Sequence, residues 1–568
     1  MRNMFSVLLL LLACSSFAQH DNHHSAAPAT NHLSHLQACR GQTVYIHNLP
    51  PPILMQGIGS SVLKIQTTSD STQLYFNQGI SLLHDFWDLE AYRAFKEAIR
   101  HDSTALMPYW GLLQSVGPEE DTIYAQNKAL ALRQLKKLVK NASDREKLYA
   151  ESVLLRDSLK DEAGQKAYHK KLEQLVQKYP EDVEAKLFLA ISVMSGFDSD
   201  MNPREGQVYS EYLLRDLLRT HPKHHGVHHY WIHLMENCCP EQALESANVL
   251  TALAPSSGHI VHMPGHVYYK LGDYKRAYDA FIAAVRVDSA YMKNQGVKEV
   301  DDWNYIHNIN YLLANCAQDG RHSEGMYYAQ KLKDMATTKD RQKIYQRVFF
   351  NQGKLAPAKM QMAFGFWDKA ALELDLIKDV DSVYSPKGMA YKEGLSLFAK
   401  GMDAASKNKL QNAVMYSNAL DALLWRNANQ AGKDTVIGKF LQNNLNAASL
   451  ELQGCIKTLQ GDFAEGLWLL EQAKKKEKEL GYGEPPYYAR PVAMSIAAAN
   501  EMQGKWDNAI AAYHEVLSHH PHSSYAYHGL AVAYRKKGDL AKAAEYESKT
   551  KEASRYGDKW LYPFSKRQ

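Results

Sequence analysis

The chain has 568 residues, 45% hydrophobic and 23% charged, so it carries enough apolar material for large cores and is not a disordered chain. Its 66 Lys and Arg stand against 62 Asp and Glu, a net +4 over the whole length, which supplies no phosphate-binding footprint and argues against a nucleic-acid partner. The 25 histidines are the compositional outlier.

Met1-Arg2-Asn3, the apolar run Met4 to Ala13 and the small residues Ser16-Phe17-Ala18 before Gln19 predict a secretory signal over residues 1–18, too short to span a membrane. Leu11-Leu12-Ala13-Cys14 competes as a lipobox that would anchor the chain through Cys14. The expectation is an exported protein, periplasmic or associated with the outer membrane. No later stretch approaches the roughly 18 to 20 continuous apolar residues of a membrane span. Cys39, Cys238, Cys239, Cys316 and Cys455 are odd in number and scattered, which is no disulfide framework.

Residues 19–70 are polar and His-rich (His20, His23, His24, His32, His35, His47), with Leu49-Pro50-Pro51-Pro52 in their middle, and read as a linker with a short strand near Val62 to Ile65. Beyond Gln73 the pattern becomes helices of about 12 to 15 residues parted by Gly-Asp, Gly-Lys or Pro breaks. A period of 34 residues separates Gly504 from Gly538, Ala509 from Ala543 and Ala243 from Ala277. Gly79, Ala91, Phe95 and Ala98 repeat the spacing of Gly265, Ala277, Phe281 and Ala284. Small residues at such positions let two antiparallel helices touch while an aromatic ring fills the gap beside them. One hairpin cannot bury its apolar face alone, so neighbours must stack.

With these residues the chain resembles the tetratricopeptide repeat (TPR) family, most clearly over 74–103, 227–255, 261–289 and 496–546, with weaker copies at Gly320, Gly365-Phe366-Trp367 and Gly461. The resemblance implies an all-α, right-handed superhelical solenoid whose first helices line a concave groove. The expected organisation is TPR-like repeats over 71–200, central His-rich repeats over 201–320, degenerate repeats over 321–480, and C-terminal repeats with a tail over 481–568. The His-rich helix pair resembles that of a subgroup of uncharacterised exported bacterial TPR proteins.

Residues 221–266 hold nine histidines, where the chain average would give about two. One helix is expected from about His224 to Asn237, with Val227, Tyr230, Trp231 and Leu234 as its inward stripe, and the next from about Gly258 to Leu271. His225, His228, His229, His233, His259, His262 and His266 then face the groove, and His307 joins them near the second position of a helix ended by Gly320. Imidazoles four apart on a helix can share a metal, which His225/His229, His229/His233 and His262/His266 satisfy. Glu236 is placed as a further ligand or as a support behind the rings. Imidazole suits Zn, Cu and Fe alike. His229-Tyr230-Trp231-Ile232-His233 has no Glu after its first His, which disfavours metalloprotease chemistry, and the Glu-before-His order of di-iron bundles is absent. Pro264 either kinks the second helix or begins a shorter one.

Glu484-Pro485-Pro486-Tyr487-Tyr488-Ala489-Arg490-Pro491 reads as a rigid connection and the run 474–478 as a solvated face. Two functions fit: a scaffold that holds a peptide or protein partner in its groove with a metal ion beside it, and a metal-dependent enzyme built on the central histidines.

Overall fold

Glycines facing aromatic rings set how closely the hairpins pack. A Cβ at Gly79 would stand 2.5 Å from the Phe95 ring, and one at Gly111 2.3 Å from the same ring, so Phe95 is clamped between two neighbouring helices. Gly265 against Phe281 and Gly529 against Tyr513 repeat the device, each at 2.3 Å. Ala91, Ala98, Ala277 and Ala284 are fully buried at these contacts.

The computed structural model describes residues 46–115, 121–197, 202–335, 353–377, 386–429, 436–481, 483 and 486–562. They form an all-α solenoid in which antiparallel hairpins pack one after another. Side-chain caps begin several helices: Ser69 accepts from the Thr72 N–H, Asp273 from Arg276, and Asp302 from Asn304 and Tyr305. Gly320 and Gly538, with φ of +79° and +92°, end the Trp303–Asp319 and Ser524–Lys537 helices in the left-handed conformation that glycine adopts without a Cβ clash. The signal segment, Cys14, Cys39 and five of the tail histidines fall outside the described residues.

The segment before the first helix differs from expectation. Residues 61–65 are extended but form no strand, because their partner is a helix. The N–H groups of Ser61, Leu63 and Ile65 donate to the side chains of Ser81, Asn77 and Gln73, three residues spaced by four along the Asp70–His84 helix. Alternate residues of an extended chain and every fourth residue of a helix advance by similar lengths, about 6 to 7 Å, so the two rows match. Nor is this stretch a free linker. Ile58, Leu63 and Ile65 are buried in the main core, and His47 meets Asp121 at 2.7 Å.

The C-terminal repeats fold back on the central ones. The Ser524 hydroxyl donates to the Gln318 carbonyl at 2.7 Å, and Asp558 accepts the Ser323 N–H at 2.7 Å. The Asp558 N–H itself donates to the Gly320 carbonyl at 2.8 Å. The C-terminal end of the Trp303–Asp319 helix is thereby held by residues more than 200 positions away. No helix among the described residues is long and apolar enough to cross a membrane.

Candidate metal centre

Three helices, His225–Met235, Gly258–Lys270 and Trp303–Asp319, meet the turn 85–87 around the histidines. Every residue of His225–Met235 is buried, so the rings do not face an open groove as the repeat register implied. The third helix and the turn close over the side that a simple hairpin stack would leave to solvent. The Gly258–Lys270 helix runs through Pro264, which therefore lies inside it and is not the start of a shorter one. His307 is the fifth residue of its helix rather than near the second, because Asp302 caps that helix just ahead of Trp303.

The rings gather in two groups of three. In each of His229/His233/His259 and His262/His266/His307, one ring nitrogen per residue lies within 4.8 Å of the other two. In the first group every Nδ1 is committed. His229 Nδ1 donates to the His84 backbone carbonyl at 2.5 Å, His233 Nδ1 to Glu236 Oε1 at 2.9 Å, and His259 Nδ1 to Asn304 Oδ1 at 3.2 Å. The Asn304 amide is itself fixed, since its Nδ2 donates to both oxygens of Asp288 at 3.1 Å. A ring protonated at Nδ1 presents its Nε2 lone pair, the arrangement by which metal-binding imidazoles are oriented. His229 Nε2 is buried without a hydrogen-bond partner, and burial holds this imidazole well below its usual pKa, in the neutral form that can bind a metal.

The second group adjoins the first. His266 Nδ1 donates to Glu236 Oε2 at 2.5 Å, and its Nε2 faces that of His262. Two lone pairs turned toward each other need a proton or a metal ion between them. Ring centroids stand 5.8 Å apart for His259 and His262 and 6.3 Å for His233 and His266, so the two groups share a border. Glu236, fully buried, spends one carboxylate oxygen on each group. It supports the rings from behind.

His225 and His228 are not brought into either group. His228 is tied to the Ser246 hydroxyl at 2.9 Å and the Pro222 carbonyl at 2.8 Å. His225 stands against Ser81 and Asp85, its pKa lowered to about 3 by burial and by the neighbouring His224 and His84. Of the spacings four apart, His229/His233 and His262/His266 each fall within one group and His225/His229 does not. The four residues His229, His233, His262 and His266 do not meet at one point, because each pair takes its third partner from a different helix.

By sequence, residues 502–558 match the tetratricopeptide repeat family model. A TPR repeat-containing protein of Methanocaldococcus jannaschii is 21% identical over 55% of this chain. Residues 502–558 are thus similar to a tetratricopeptide repeat. The chain spans about half the length of that curated relative, 47%. Among solved structures, the human IFIT1 dimer with m7Gppp-AAAA aligns over 87% of this chain and 91% of its own, at 11% identity and a TM-score of 0.31. Yeast Tom70 aligns over 87% and 92%, at 11% identity and 0.25. Such likenesses are too loose to bear on function.

In this solenoid the turn between paired helices places a glycine at positive φ in Gly272, Gly365, Gly461, Gly504 and Gly538. Phe86, seven residues after Gly79 as Gly272 is seven after Gly265, takes that position in the first hairpin with φ +56°. A phenylalanine there costs on the order of 1 to 2 kcal/mol relative to a relaxed backbone. Its ring lies 4.6 Å from His229 and stacks on His233 at 5.4 Å, forming the wall of the first group. Truncating a buried Phe costs about 3 to 5 kcal/mol, so packing outweighs strain and both Phe86→Ala and Phe86→Gly should lower melting. The Gly variant should nevertheless be the more stable of the two by ~1 kcal/mol, because only glycine relaxes the left-handed turn. Comparing their thermal melts checks this; an Ala variant at least as stable as the Gly variant would remove the strain argument.

Sequence reasoning missed the residues behind the rings. His84 supplies the carbonyl that orients His229, and its own ring bonds Tyr230 at 2.8 Å and Glu184 at 2.6 Å. Burial pushes the Glu184 carboxyl up, but the His84 and His224 imidazoles beside it outweigh that and hold it below its usual range. Asp85, Asp288 and Asp302 form a buried acidic patch beside His259. Burial raises Asp85 and Asp288 well above the usual carboxyl range, and brings Asp302 to about 6.

Proposed function

We propose that this is an exported metalloprotein in which the TPR solenoid builds two adjacent three-histidine sites for a pair of copper ions. The observation that supports it best is the committed Nδ1 of His229, His233 and His259, each on a different acceptor, with the three rings converging. A solvated or merely structural histidine needs no such triple orientation. Copper fits this donor set better than zinc or iron. Six neutral nitrogens with no carboxylate among the converging atoms leave the ions' charge to Glu236 behind the rings, and Cu(I) brings the least charge to bury.

The wider solenoid is consistent with a scaffold for a protein partner, as its repeat architecture presents extended surfaces. Export rests on residues 1–18, and a lipid anchor on Cys14 as the alternative. Elemental analysis of protein reconstituted anaerobically with Cu(I), then passed over a chelating resin, is expected to return two Cu per chain. Retention of less than one would end the reading.

A further inference from the structure

Cys238 and Cys239 are neighbours in the chain, and both are half-buried free thiols. Side chains of successive residues normally diverge, by about 100° on a helix and to opposite faces of a strand. Here the turn after the His225–Met235 helix brings the two together, with the Cys238 thiol within hydrogen-bonding reach of the Cys239 sulfur. That thiol also donates to the Met235 carbonyl at 3.7 Å, as does the Cys239 N–H at 2.8 Å. The same turn carries Glu236, the carboxylate that orients His233 and His266. Pro240, with its fixed φ, begins the next short helix, so only residues 237–239 separate Glu236 from that rigid point. Cys316, by contrast, is fully buried, out of reach of a soluble oxidant.

We propose that Cys238 and Cys239 are a redox switch, closed by a small-molecule disulfide into a ring through the peptide bond that joins them. One cysteine thiolate attacks a sulfur of the external disulfide and releases one external thiol; the second cysteine sulfur then displaces the other. Two S–H bonds are lost and one S–S bond forms in the protein, while the external disulfide is reduced to two thiols that keep both protons. The Cα atoms of joined residues stand about 3.8 Å apart, less than the roughly 4.4 to 6.8 Å of an ordinary disulfide. Such a bond is strained and readily reduced. It also closes no long loop whose entropy it could remove, so it acts as a switch rather than a staple. Closing the ring turns the Cys238 sulfur away from Met235 and shifts the short segment from which Glu236 reaches His233 and His266. That the switch thereby loosens the metal pair rests on the copper reading above; the dithiol itself does not.

Peptide mass mapping of the full chain, reduced and then equilibrated with oxidised glutathione, tests it. The fragment holding both cysteines should lose two hydrogens and regain them on adding dithiothreitol. In Cys239→Ser the same fragment should instead gain one glutathione on Cys238, with Cys316 unmodified in both proteins. In apo protein, oxidation should speed amide exchange at the C-terminal end of the His225–Met235 helix, and should not do so in the Cys238→Ser/Cys239→Ser double variant. In copper-loaded protein, oxidation should speed the loss of copper at least tenfold, while the double variant keeps the wild-type copper content and the slow rate. A chain that takes up no copper but shows the mass change and the faster exchange keeps the switch and removes only the metal reading. Two glutathiones on the native pair, no loss of two hydrogens, or amide exchange and copper loss unaffected by oxidation overturns the inference.

Discussion

His262→Ala is expected to cut the metal content of the loaded protein from two ions per chain to one, and His229→Ala to do the same at the other group. Each group has three imidazoles, and a site reduced to two loses more than the 10–100-fold that a missing supporting residue costs. The double variant should hold none. A metal that binds only the folded state stabilises it by about 2.7 kcal/mol per site when its free concentration is 100 times Kd. The metal-dependent rise in melting should therefore halve in either single variant and vanish in the double. Both rings are fully buried, so the apo variants should also melt lower than the wild type, by roughly 1 to 3 kcal/mol. The increment on adding metal, not the apo value, is the test. His528→Ala, in the Ser524–Lys537 helix, should keep the full increment. An equal response in all the variants would make the histidines structural.

Gly265→Val should be the most damaging single change to the central hairpin. Its Cβ would stand 2.3 Å from Phe281, and the added methyls have nowhere to go between two packed helices. Replacing a helical glycine recovers a few tenths of a kcal/mol of propensity, while overpacking costs about 1 to 3 kcal/mol, so destabilisation wins. The consequence reaches the site. Phe281 lies 5.1 Å from the His262 ring, and His266 is the next residue in the chain. Metal content should fall together with melting temperature, and Phe281→Ala in the same chain should recover part of both by making room. Normal melting in Gly265→Val would show that the hairpin is looser than the Gly265–Phe281 contact implies.

The repeats were legible because their signal is local. Gly79, Phe95, Gly265 and Phe281 carry the hairpin contact in their spacing alone. The pairs His229/His233 and His262/His266 were legible for the same reason, since helical spacing fixes a shared face. The grouping was not. Whether His259 joins His229 or His262 depends on how far successive helices are staggered, and no spacing within one helix encodes that. His225 and His228 share their helix with His229, yet they point back toward Ser81 and Pro222. The strand expected near Val62 to Ile65 failed because extended backbone can be satisfied by a row of helical side chains, which leaves the same alternating pattern in the sequence. Phe86 could have been found: its offset from Gly79 matches that of Gly272 from Gly265, so a bulky residue stands where the other turns have glycine.

Two metal ions should lie side by side, one in each histidine group. The most direct measurement is an anomalous difference map from crystals of copper-loaded protein, collected on either side of the copper absorption edge. Two peaks are predicted, one among His229, His233 and His259 and one among His262, His266 and His307, with Glu236 behind both. Peaks confined to the histidines of the N-terminal segment, or none among these six rings in fully loaded protein, would contradict it.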